Sequence, residues 1–169
     1  MMGRVRSAIA AAGLVLLPAL SLGQELTRID DAWSRYHNAR FGTSVDVPGI
    51  FTIADPAPAN GDGRIFTSPD GAELRVFGSY GATTVTEGFA AYRIWMLDRL
   101  RKDGVAVTYK AQGKEWLAAS GTRGREIVYV KVIEGCDATH EIRMTYPSAS
   151  RRIYDPLIGR LAHSLRCTP

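Results

Sequence analysis

The sequence predicts an α+β fold, an antiparallel β-sheet covered by two helices. Short runs of β-branched and aromatic residues recur between turns rich in Gly, Pro and Asp. Two longer segments carry apolar residues at helical spacing. The order is strands, a helix, four strands and a helix, and the connections between strands are short enough to favour antiparallel pairing.

Met1 to Gly23 is predicted to be a secretory signal peptide. It has Arg4 and Arg6, an apolar run from Ala8 and small residues Ser21 and Gly23 before Gln24. The run is interrupted by Pro18 and is shorter than the roughly 20 residues of a spanning helix. Residues 24–32, QELTRIDDA, are polar and predicted to be loosely held. Residues 33–169 are predicted to form a single α+β domain. Trp33 to His37 and Thr43 to Val47 read as two short strands, the second ended by Pro48.

Asp55 to Gly63, DPAPANGDG, is a surface loop by composition. RIFTS and AELRVFG then flank SPDG, a hairpin signature in which Asp-Gly tolerates positive φ. Thr84 and Glu87 form a capping-box pattern ahead of the first helix, which runs to Gly104 with Phe89, Tyr92, Met96 and Leu100 as its buried stripe. Arg93 borders that stripe, where a snorkelling stem is expected. VAVTYKAQG, KEWLAASG, REIVYVKVIEG and ATHEIRMTYP are the four following strands. Asp155-Pro156 supplies an N-cap and a first helical residue for the last helix, whose stripe is Leu157, Ile158, Leu161 and Leu165.

The chain carries +4 net charge, about +2 once Arg4 and Arg6 leave with the signal peptide. There is no basic stripe or tail, so nucleic acid is not an expected partner. Nothing after the leader is apolar enough to span a membrane as a helix. Cys136 and Cys167 are the only cysteines. In an oxidising compartment a disulfide between them is the simplest expectation, with free thiols or a redox or metal role as alternatives.

Motifs for catalysis or cofactors are incomplete. Asn60 and Asp62 mimic part of a calcium loop, but Pro69 stands where its bidentate Glu belongs, so they are weak metal candidates only. The same loop lacks a phosphate-loop lysine and leads into a strand. His37, His140 and His163 fit no zinc pattern, and no serine sits in a nucleophile elbow. His140 and Glu141 are neighbours on a strand and point to opposite faces, with His140 expected to be partly exposed. Trp33, Tyr36, Trp95, Trp116, Tyr129 and Tyr146 are candidates to line a cleft or a partner surface. Trp95 and Arg99, four residues apart on a helix, form a candidate partner-binding pair.

YHNARFGTSVDVPGIF, NGDGRIFTSPDGAELRVFG, GCDATHEIRMTYP and YDPLIGRLAHSLRC together resemble small exported proteobacterial proteins of unknown function. In order and spacing, the chain also resembles the PsbP-like and DcrB-like α/β/α sandwich. That resemblance implies binding or assembly rather than catalysis. The resulting expectation is a periplasmic or secreted, non-catalytic binding or envelope-assembly accessory protein, without a cofactor, that meets a protein or small-molecule partner in the cell envelope. A hydrolase with a His/carboxylate site gathered by the fold, and a small-molecule or metal carrier, are the alternatives.

Overall fold

The computed structural model describes residues 24–54 and 59–168. The predicted signal peptide and part of the Asp55–Gly63 loop lie outside them. Strands β1 (Gln24–Arg28), β2 (Trp33–Asn38) and β3 (Thr43–Pro48) form a small antiparallel sheet with the C-terminal β11 (Arg166–Cys167), in the order β1-β2-β3-β11. The segment from Gln24, predicted to be loosely held, is therefore an edge strand in register with β2. Its backbone pairing outweighs its polar composition.

The larger sheet has seven strands: β4 (Thr52–Ile53), β5 (Gly63–Thr67), β6 (Glu73–Ser79), β7 (Ala106–Gln112), β8 (Trp116–Arg123), β9 (Glu126–Gly135) and β10 (Ala138–Pro147). Their order is β4-β5-β6-β10-β9-β8-β7, antiparallel throughout. The fold thus has two sheets where the sequence reading has one. The two short strands β4 and β11 carry too few residues to show a period.

The SPDG hairpin forms as expected, with Ser68 N–H donating to Ala72 O at 3.0 Å and Gly71 at φ 85°. Gly61 has a left-handed φ of 68°. Gly63 is needed for another reason: a Cβ there would lie 2.0 Å from the Val76 carbonyl oxygen, so it lets β5 approach β6.

Among the described residues three α-helices, not two, accompany the sheets: α1 (Gly81–Thr84), α2 (Phe89–Lys102) and α3 (Arg151–Ser164), the last preceded by a 3₁₀ turn at Ser148–Ser150. The Thr84/Glu87 capping box does not form. Thr84 ends α1 with its hydroxyl on the Tyr80 carbonyl (2.9 Å), and Gly88 at φ 93° breaks the chain before α2. α3 begins a turn earlier than Asp155-Pro156 predicts. The Asp155 carboxylate accepts from Tyr146 Oη at 2.5 Å instead of capping, and Pro156 lies inside the helix.

The large sheet is buried on both faces, which its strongest strand, β9, records residue by residue. Val128, Val130 and Val132 meet Phe89, Tyr92, Met96, Leu97 and Leu100 of α2 on one face. On the other, Phe66, Leu74, Val76, Ile142, Met144 and Tyr146 pack against Tyr36, Val45 and Val47 of the small sheet, Tyr154 and Leu161 of α3, and Leu165 just after it. Full burial of one such aliphatic side chain stabilises by roughly 1.5–3 kcal/mol. The layers are helices α1 and α2, the large sheet, then the small sheet beside α3.

A disulfide joins Cys136 to Cys167 with Cα atoms 6.1 Å apart. Cys136 and Asp137 form the two-residue turn between β9 and β10, both at positive φ (48° and 57°). The bridge ties this turn to the last strand of the small sheet.

Candidate functional site

The two-residue period of β7, β8 and β9 decides which side chains face the α3 layer. The registers set them in rows: Trp116 opposite Ile133, Ala118 opposite Ala111 and Lys131, Ser120 opposite Tyr109 and Tyr129. α3 packs on β3 and β10. Beside it the sheet face opens as a groove of about 500 Å³ bounded by Tyr109, Trp116, Tyr129, Lys131 and, from α3, Ala162 and His163. A volume of roughly 300–1,000 Å³ suits a small ligand.

The groove has Ala111, Ala118 and Lys131 in its middle row and aromatic residues at its ends. The Trp116 and Ser120 rows are four residues apart, roughly 13 Å along the strand. Trp116 is 38% exposed and Tyr109 53%, whereas Tyr129 is buried. Trp116 lies over the turn before it, where a Cβ on Gly113 would be 2.3 Å from its Nε1. Arg93 of α2 donates to the Gly113 carbonyl, so its stem reaches out as expected and its head holds this turn. Burial pushes the Tyr129 phenol up to about 12.

Lys131 is the charged centre. Its Nζ donates to the Ala162 carbonyl at 2.7 Å, filling one of the acceptors that the end of α3 leaves open, and lies 5.9 Å from the Trp116 ring centroid. Burial lowers its pKa from the ordinary 10.5. An ammonium has three donors, and among the described residues Ala162 is its one hydrogen-bond acceptor. Glu115 and Glu134 lie exposed at the Trp116 end, linked through Glu134 N–H to Glu115 O at 2.9 Å.

A second groove, about 470 Å³, runs over the small sheet beside Arg28, Arg35, His37, Ser44 and Arg166. Its cations are engaged: Arg28 with Asp31, Arg35 with the buried Asp46 at 2.7 Å, and Arg166 with the Ser164 carbonyl at 3.1 Å.

The other candidates are dispersed. Asp62 accepts from Arg40 Nη1 at 2.6 Å and from Asn60 Nδ2 at 2.6 Å, so the carboxylate clasps its own loop. Among the described residues no cluster of three or more His, Cys, Asp or Glu is arranged for a metal ion. Trp95 stacks on Tyr92 with centroids 5.1 Å apart, while Arg99 pairs with Asp103 at 3.2 Å. Trp33 lies under the Arg160 guanidinium, and Tyr36 and Tyr146 are core residues.

His140, expected to be partly exposed, is fully buried, because the small sheet covers its face of β10. It faces Thr43, while Glu141 on the opposite face is raised in pKa by burial near α2. Among the described residues no histidine nitrogen is hydrogen-bonded to a carboxylate. Of the residues named from sequence, the groove gathers Trp116, Tyr129 and His163. Lys131 and Tyr109 were missed, although Lys131 interrupts the apolar face of IVYVKV.

Neither the protein-family models nor the curated proteins contain a match to this chain. Solved structures do. The cyanobacterial PsbP protein (CyanoP) of Synechocystis sp. PCC 6803, determined in solution, superposes with a TM-score of 0.57 at 14% identity over 81% of this chain and 93% of its own. A Pseudomonas aeruginosa protein of unknown function, described as a putative regulator, gives 0.49 at 16% identity over 87% of this chain and 99% of its own. The fold is α+β and PsbP-like. Among the described residues no helix is long and apolar enough to cross a membrane.

Proposed function

We propose that this is an exported, non-catalytic binding protein of the cell envelope, and that the Trp116–Lys131–Tyr109 groove is where it binds. The observation that carries the reading is the placement of two exposed aromatic rings beside a half-buried ammonium with donors to spare. A leader-like N-terminus and a disulfide fit export. Binding is favoured over turnover because Lys131 is held by a backbone carbonyl and His163 Nδ1 lies 2.7 Å from the Gly159 carbonyl, leaving no assembled nucleophile and base among the lining residues.

Native mass spectrometry of the protein purified from the exported fraction tests this. A ligand that is retained by wild type and lost from both Trp116→Ala and Tyr109→Ala is expected, since both side chains are exposed enough to be truncated without loss of the fold. Turnover of a hydrolase substrate panel by the purified domain, or accumulation of the protein in the cytoplasm, would overturn it.

A further inference from the structure

We propose that the groove takes an amphipathic monocarboxylate, its apolar body lying between Trp116 and Tyr109 and its carboxylate on the Lys131 ammonium. This rests on the binding role proposed above and names its ligand class. Ala111 and Ala118 lie in the row between the rings, and Ile133 lies across from Trp116, so the surface beside Lys131 is largely apolar. An aliphatic chain or aryl ring fits that surface, and roughly 13 Å between the end rows sets its length.

The charge follows from Lys131. Held in a partly dry position with one neutral acceptor, its ammonium is under-compensated, and an incoming carboxylate restores a charge-assisted hydrogen bond without displacing Ala162. Trp116 stands beside the same ammonium, so the ring and the charge present themselves to one ligand. Among the lining residues Lys131 is the one lysine or arginine, so a second carboxylate at the Tyr109 end would find no cation. His163 has its Nδ1 turned to the Gly159 carbonyl at 2.7 Å, and so does not supply a second anchor from that nitrogen.

Calorimetry with decanoate, its primary amide, decylamine and the dicarboxylate decanedioate tests the assignment on the mature, oxidised protein. Decanoate is expected to bind at least about tenfold more tightly than the amide or the dicarboxylate, and the amine not at all. Lys131→Gln should bring acid and amide to within about twofold of each other, with the circular dichroism spectrum unchanged. Equal affinity for acid and amide in wild type, or discrimination that survives Lys131→Gln, overturns the ligand class. If such binding still disappears in Trp116→Ala, the groove remains the site and only its chemistry was misread. Absence of binding by every probe, with no ligand retained from the exported fraction, removes both readings.

Discussion

His140 and Thr43 meet across the two sheets, with Nδ1 2.8 Å from the threonine Oγ1. The other ring nitrogen, Nε2, lies 2.9 Å from the Gly135 carbonyl, which only accepts. Nε2 therefore carries the proton and Nδ1 accepts from Thr43. Burial depresses the imidazole pKa below its ordinary 6.5, partly offset by the Gly135 bond.

The sign of the resulting pH dependence is fixed. Between the folded and unfolded pKa values the unfolded chain binds more protons, so stability is complete above pH 6.5 and falls as pH drops below it. Urea unfolding of wild type should show this slope between neutral pH and about pH 5, above most carboxylate titrations. His140→Gln should be less stable at neutral pH but flat over that window. An unchanged slope in the variant would assign the effect to other groups.

Opening the Cys136–Cys167 bridge, 31 residues apart in sequence, should lower stability by about 3.5 kcal/mol on loop-entropy grounds. Denaturant titration with and without reductant measures it, and Cys136→Ser/Cys167→Ser should match the reduced wild type. A loss below about 1 kcal/mol would mean that the unfolded chain is compact enough to make the constraint redundant.

Two glycines should respond in opposite directions to alanine. At Gly78 a Cβ would sit 2.4 Å from Phe41 Cβ and 2.6 Å from Thr43 Oγ1, so Gly78→Ala is expected to cost about 1–3 kcal/mol by forcing the sheets apart. Gly159 lies within α3 with open space around its Cβ position, and Gly159→Ala should stabilise by roughly 0.5–1 kcal/mol. Thermal melts of the two variants under one set of conditions decide the matter.

Asp62→Ala should cost no more than about 1 kcal/mol, because the Arg40 ion pair it removes is half-exposed. Elemental analysis should find the metal content the same in variant and wild type. A metal that leaves with the Asp62 carboxylate would reinstate this loop as a ligand set.

How far the fold can be read from the residues depended on the length of each element. β9 and β10, ten residues each, and the Phe89–Leu100 stripe announce themselves through period. The division into two sheets does not, because β11 is two residues long and its partner β3 is more than a hundred residues away. The burial of His140 follows from that same distant pairing, so local pattern could only place it on a strand. Likewise Trp116 and Tyr129 stand out by type, but the groove exists because α3 leaves part of the sheet uncovered, and Lys131 acquires its meaning from the Ala162 carbonyl.

The small sheet also orders events in time. β3 lies between β2 and β11, and Ser164 Oγ accepts from Asp46 N–H at 2.8 Å, so the early strands wait for residues more than a hundred positions further on to complete their bonding. Long-range closures of this kind slow folding. Until residues 164–167 return to β3, that strand keeps an unpaired edge and the Asp46 N–H lacks its Ser164 acceptor.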